Sequence, residues 1–223
     1  MTTTFEGPRL ETGALLLADI SGYTTFLGRV TAVHPEMIGL AGPIPPAYPI
    51  MSSLLDVVVD RIAPTFRLSE IEGDAVFGYA TDDQLNGDGE TALQTIRSAY
   101  SGFRGRIEEA MAHHQKHECD ACNILPNLDL KFLLHHGPLV VQRIAGRERL
   151  LGPAVNLTHR LLKNSVSAQT GRRGYLFTTD QAAEQLGLSQ EIGVRHEEDY
   201  ADVGSVSGTV IGLDAVDPRL ANP

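Results

Sequence analysis

Two aspartates, Asp19 and Asp74, stand 55 positions apart, each at the edge of an apolar run. Asp19 ends GALLLADI (Gly13–Ile20), and Asp74 closes the turn Glu72-Gly73-Asp74 between two short strand-like segments. If these strands are neighbours, both acids point into one cleft at the same end of a sheet. Hard divalent cations need oxygen ligands, and two carboxylates plus triphosphate oxygens satisfy magnesium. Ser21-Gly22-Tyr23-Thr24 follows Asp19 and opens a helix whose free N–H groups suit phosphate. Taken singly, each acid is more simply a turn former or a cap.

A second constellation lies in GPAVNLTHRLLKN. Asn156 and Arg160 are one helical turn apart and share a face. An amide and a guanidinium so placed could hold a ribose and neutralise charge on a phosphoryl group. The plainer alternative is an exposed polar face. A third sits in HHQKHECDACN, where His117, Cys119 and Cys122 stand close together, with His113 or His114 one turn earlier. Tetrahedral zinc accepts such a set, and ligation entirely by protein makes a structural site. The competing reading is two free cysteines in a His-rich surface loop. His135 and His136 fall on a strand pair, where one is expected to face the core.

The elements that must position these groups follow from periodicity and punctuation. Residues 34–50 form a Pro/Gly-rich insertion, and a helix follows from about Met51 to Ala63. Two strands, about Thr65–Ile71 and Ala75–Tyr79, flank the Glu72-Gly73-Asp74 turn. DDQLNGDGE is expected to be a solvated loop, because Leu93 occupies the place of a calcium loop's closing glutamate. A long amphipathic helix is expected from Thr91 to about Lys116. A hairpin of LDLKFLLHHG and PLVVQRIAG comes next, then a helix from Pro153 to about Lys163 and a strand–helix–strand tail closing in TVIGL. The pattern predicts one α+β domain over residues 1–223.

Of the 223 residues 42% are hydrophobic, ample for one core and incompatible with compositional disorder. The balance of 28 acidic against 18 basic residues, net −10, argues against nonspecific nucleic-acid or membrane-surface binding. The apolar stretch Met37–Leu55 is interrupted by prolines and glycines and cannot span a bilayer. The start MTTTFEGPRLE has no basic-then-apolar signal pattern, so a cytoplasmic location is expected.

Taken in order and spacing, LLLADISGYTTFL, EIEGDAVFGYA and LKFLLHHGPLVV…LLGPAVNLTHRL resemble the catalytic domain of class III nucleotidyl cyclases, over about residues 13–165. EIEGDAVF, LDLKFLLHHG and HRLLKN resemble more specifically a bacterial cyclase-like branch. The resemblance implies a ferredoxin-like sheet, mixed or antiparallel and flanked by helices, in a head-to-tail homodimer with nucleotide sites at the interface. It implies that Asp19 and Asp74, with the Ile20 carbonyl, hold two magnesium or manganese ions. Asn156 and Arg160 of the second subunit would reach the same nucleoside triphosphate. The implied reaction is attack of the ribose 3′-hydroxyl on the α-phosphate, releasing pyrophosphate.

Two departures qualify that expectation. The positions that select adenine in the family hold Glu70 and Arg149 here, a reversed donor–acceptor pair. Glu70 could accept from the ring N–H and amine of guanine while Arg149 donates to its carbonyl, and the same pair could read a pyrimidine. Alternatively the two form only a salt bridge across an empty pocket. Near the C-terminus Val203 precedes Gly204 where the family has a triphosphate-binding lysine, with Arg147 or Lys163 as conceivable substitutes. Hence a second reading stands beside the cyclase: a cyclase-fold module that binds a nucleotide or a protein partner without turnover.

Overall fold

The apolar run that carries Asp19 becomes the central strand β1 (Arg9–Ser21) of an eight-stranded sheet in the computed structural model, which describes residues 7–35, 42, 44–114, 122–188 and 193–214. Its side chains alternate between two covered faces. Ala14, Leu16, Ala18 and Ile20 enter one core, and Leu15 and Leu17 enter the other. A strand buried on both sides reads as continuous apolar sequence rather than as alternation.

The chain runs β1, α1 (Tyr23–Val33), α2 (Ala47–Ile62), β2 (Arg67–Glu72), β3 (Ala75–Thr81), α3 (Asp82–Leu85), α4 (Gly89–His114) and β4 (Asp129–Ile144). Then follow β5 (Arg147–Leu151), α5 (Pro153–Arg160), α6 (Val166–Thr170), β6 (Tyr175–Thr179), α7 (Asp180–Gln185), β7 (Val194–Tyr200) and β8 (Gly204–Gly212). Strand order is β2-β3-β1-β4-β6-β8-β7, with β5 paired to β4. All pairs are antiparallel except β4 with β6. The first four strands in the order 2-3-1-4, with helical crossovers that each pass over one strand, make the expected ferredoxin-like α+β core. Leu54, Val58 and Ile62 of α2 and Leu93, Ile96 and Phe103 of α4 cover one face, and Val155 of α5 and Val166 of α6 cover the other.

Several expected boundaries are corrected. The predicted hairpin of LDLKFLLHHG and PLVVQRIAG is instead one 16-residue strand, β4, paired with β1 from Ser21↔Asp129 to Arg9↔Val141. Gly137 marks no turn: a Cβ there would lie 2.9 Å from the Ala154 Cβ, so it admits the first turn of α5 against the sheet. The true turn is Ala145-Gly146, both at positive φ, as a two-residue hairpin requires. Helix α2 begins at Ala47, inside the predicted insertion; Pro49 falls in its first turn, where an N–H has no helical partner to lose. DDQLNGDGE is not wholly loop, since Thr81 and Gln84 form a capping box that starts α3. Both His135 and His136 are buried, not one of the two.

Candidate functional site

Strand register delivers Asp19 and Asp74 to one place. Asp19 pairs with Ala75 across β1–β3, and the N–H of Ile20 donates to the Asp74 carbonyl at 3.3 Å. Glu72 pairs with Ala75, so Gly73 and Asp74 are the two central residues of a tight hairpin turn. Gly73 adopts φ +60°, which such a turn demands at its first central position. Burial first, then the charge of Asp19, pushes the Asp74 carboxyl up to about 6, with Lys131 partly offsetting the rise. Burial and then the charge of Asp74 raise the Tyr23 hydroxyl. The two acids therefore feel each other as like charges in a sheltered place.

Lys131, a residue that sequence reasoning passed over, completes this end. It lies opposite Asp19 in the β1–β4 register, and its Nζ is 3.0 Å from Asp19 Oδ2, with each side chain only 18% exposed. The available signal was a single cation inside the apolar strand LDLKFLL. Beside the pair, α1 starts after Gly22 (φ +90°) with no side-chain cap, and the first-turn N–H groups of a helix have no partner within it. Ser21 itself donates weakly to the Arg173 carbonyl at 3.4 Å. The Ile20 side chain is buried in the core.

The two carboxylates are oxygen donors of the kind a hard divalent metal takes, and the Lys131 ammonium occupies the cation's place beside Asp19. Among the described residues no group of three or more His, Cys, Asp or Glu could hold a metal. A metal there needs backbone or ligand oxygens in addition.

Glu70 and Arg149 meet. Arg149 Nη1 donates to Glu70 Oε2 in a half-buried ion pair that joins β5 to β2. Next to it the Tyr79 hydroxyl donates to Glu148 Oε1 at 2.6 Å. Burial and this acceptor raise the Tyr79 hydroxyl. The β4–β5 hairpin is thus strapped over the β2–β3 pair by the residues at issue in base selection.

Asn156 and Arg160 line a cavity of about 1060 Å³ with Glu72, His135, Lys163 and Asp202. Pro153 at the first helical position and Gly152 before it set the start of α5. The Ala154 and Val155 side chains bury against the sheet and turn Asn156 and Arg160 outward. Arg160 Nη2 is 2.6 Å from Asp202 Oδ2, both about half exposed. Asp202 comes from the β7–β8 turn and is a second residue that sequence reasoning missed; it adjoins Val203, where a lysine was expected. His135 forms part of the cavity wall, its Nδ1 3.0 Å from Thr179 Oγ1. Burial and then His136 push its pKa down to about 4, so this ring is neutral. His136 Nε2 meets Asp82 Oδ1 at 2.7 Å. Asp19 and Asp74 do not line this cavity. Glu72, at the start of the turn that carries Asp74, does line it.

His117 and Cys119 of the zinc expectation lie outside the described residues, as do the side chains of His114 and Cys122. His113 is exposed at the end of α4, and its Nδ1 lies 2.8 Å from the Glu109 carbonyl, which can only accept. That makes Nδ1 the protonated nitrogen and leaves the Nε2 lone pair as the one that could accept or ligate. Among the described residues no helix is long and apolar enough to cross a membrane.

A family model described as a protein of unknown function, DUF2652, matches residues 51–170, more than half of the chain. The chain belongs to the DUF2652 family. The matched segment holds Glu70, Asp74, Lys131, Arg149, Asn156 and Arg160, but not Asp19. This DUF2652 chain is 32% identical over 176 residues to the uncharacterized protein Rv2561/Rv2562 of Mycobacterium tuberculosis (strain ATCC 25618 / H37Rv), covering 78% of each. Its structure is similar to that of the guanylyl cyclase Cya2, with TM-score 0.66 and 16% identity over 96% of this chain and 97% of that one. It is also similar to a class III adenylyl cyclase-like ATP-binding protein from Pseudomonas aeruginosa, with TM-score 0.56 and 17% identity over 80% of this chain and 35% of that one. At these identities the likeness carries the fold, and the DUF2652 chain has the class III cyclase-like fold.

Proposed function

We propose that this protein is a metal-dependent nucleotidyl cyclase that converts a nucleoside triphosphate to a 3′,5′-cyclic nucleotide and pyrophosphate. The observation that carries the reading is the meeting of Asp19 and Asp74 at one sheltered end of a cyclase-like sheet. Asp19, Asp74 and the Ile20 carbonyl would hold magnesium or manganese, two ions per site. Bound there, the metal lowers the pKa of the ribose 3′-hydroxyl and neutralises phosphate charge. The oxygen–phosphorus bond forms at the α-phosphate as the bond to the pyrophosphate leaving group breaks, and the hydroxyl proton passes to solvent. The first-turn amides of α1 bind phosphate oxygens. Asn156 and Arg160 orient the ribose and offset charge on the α-phosphate, and they act on the site of a second copy of the chain. In support of that homodimeric arrangement, Asp19 and Asp74 do not line the α5 cavity, although Glu72 of the same turn does. Glu70 and Arg149 select a base other than adenine.

The same proposal covers the remaining expectations: one domain, a cytoplasmic location, no nucleic-acid or membrane partner, and a structural zinc. His117, Cys119, Cys122 and either His113 or His114 would hold that zinc.

A second reading, a cyclase-fold module that binds without turnover, is favoured by one specific observation. Asp19, Glu70 and Arg160 are each already satisfied within the chain, by Lys131, Arg149 and Asp202. Incubation of purified protein with each of the four ribonucleoside triphosphates and manganese, read by mass spectrometry, separates the two. The cyclase reading expects a cyclic product with pyrophosphate, least from ATP. Binding of a nucleotide without any cyclic product overturns it in favour of the module.

A further inference from the structure

The Asp19–Lys131 pair differs from the other ion pairs around the candidate site in how little water reaches it. Both side chains are 18% exposed, against 51% for Arg160 and Asp202. The lysine is fixed by its strand: β1–β4 register sets it opposite Asp19, and β4–β6 register sets it beside Tyr175. Tyr175 is buried, so the lysine stem has little room to swing away on that side. Besides Asp19, its Nζ has one neutral acceptor, the Leu162 carbonyl at 3.4 Å. Asp19 and Asp74 act on each other as like charges and Lys131 opposes both, so among the described residues two carboxylates and one ammonium are coupled here.

We propose that Lys131 is the resident counter-cation of the Asp19–Asp74 pair, and that a divalent cation binds there only by displacing its ammonium from Asp19. This rests on the reading of Asp19 and Asp74 as metal ligands. A dication and an ammonium cannot share Asp19 without strong mutual repulsion, because sheltered charges are poorly screened. Breaking the pair leaves the ammonium with only the Leu162 carbonyl, so part of the metal's binding energy is spent on the exchange. Lys131 is therefore a positioning residue: in the metal-free chain it holds Asp19 in place and offsets the repulsion between the acids. It also raises the metal concentration the site requires.

The test is manganese binding to the full chain at pH 8, followed by the electron paramagnetic resonance signal of free Mn²⁺. Lys131→Met and Lys131→Gln should each bind Mn²⁺ about tenfold more tightly than wild type. Lys131→Arg, which keeps the charge, should stay near wild type, and Asp19→Asn should lose the site. A merely structural lysine would instead make every substitution weaken binding. In wild type itself, saturating Mn²⁺ should increase acylation of Lys131 by an amine-reactive reagent, read by peptide mass spectrometry. That second measurement stands even if the neutral variants do not fold. Unchanged or weaker Mn²⁺ binding in folded neutral variants, with Asp19→Asn still losing the site, overturns the proposal and leaves the metal reading intact. Unchanged acylation on adding Mn²⁺ also overturns it. Equal Mn²⁺ binding by wild type, Asp19→Asn and Asp74→Asn overturns the metal reading and this proposal with it.

Discussion

Asp19 and Asp74 are held by strand register and a two-residue turn at the end of a doubly covered sheet, whereas Asn156 and Arg160 ride the outer face of a two-turn helix above an open cavity. At the first end charges are sheltered and coupled, enough to push the Asp74 carboxyl up to about 6. At the second, Arg160 and Asp202 pair with half of each side chain in water. The difference teaches where specific chemistry can reside in one chain. The strand end can bind a charged species strongly because two sheltered carboxylates share a single ammonium there, while the helix end can only supplement a ligand brought to it.

That contrast is broken most easily through turnover. Asp19→Asn should reduce formation of cyclic product by about a thousandfold, since a bound metal contributes several kcal/mol to the transition state. Arg160→Gln should reduce it by about a hundredfold, the scale of one charge-stabilising donor. Equal losses in the measured kcat would erase the distinction between the ends.

The bridge between β2 and β5 offers the next test. Exchanging donor and acceptor in Glu70→Lys with Arg149→Asp should shift relative kcat/KM toward ATP by about tenfold or more, because a mismatched polar group is left unpaired against the wrong base. No change in the ranking of the four nucleotides would remove these residues from base selection.

Stability should separate the ends as well. Burial and the charge of Asp19 push the folded Asp74 carboxyl up to about 6, above its ordinary value. Its neutral form is therefore favoured in the fold, and its contribution is complete below the unfolded pKa and lost as pH rises towards and through 6. Allowing for partial screening by solvent, the ionised group costs about 1 kcal/mol at neutral pH. Asp74→Asn should then raise Tm by about 2–4 °C at pH 7.5 and leave it nearly unchanged near pH 4, in thermal melts followed by circular dichroism. By comparison, Asp202→Asn removes one exposed ion pair and should move Tm by less than about 2 °C at either pH.

The elements were legible where local chemistry and tertiary need agreed. GALLLADI, the Glu72-Gly73-Asp74 turn and the Pro153 helix start each carry their own signal, so Asp19, Asp74, Asn156 and Arg160 were found on the elements expected. The β4–β5 turn was misplaced because Ala145-Gly146 lacks the usual asparagine or aspartate, while Gly137-Pro138 looks like a turn and serves helix packing instead. Lys131 and Asp202 were passed over for another reason. Their roles come from pairings across 112 and 42 positions of chain, which no local pattern encodes.

The central claim, a cyclase whose carboxylate end and helix end come from different copies of the chain, is tested most directly by mixing two inactive variants. Asp19→Ala keeps Asn156 and Arg160, and Asn156→Ala keeps both carboxylates. Each homodimer has two broken sites, but a mixed dimer has one site with both defects and one with none. With subunit exchange allowed, an equal mixture should recover about a quarter of wild-type turnover, because half of the dimers are mixed and each has one good site of two. No recovery at any ratio, from a wild type that does make cyclic nucleotide, would contradict the shared site. A wild type that makes none from any of the four triphosphates would contradict the cyclase itself.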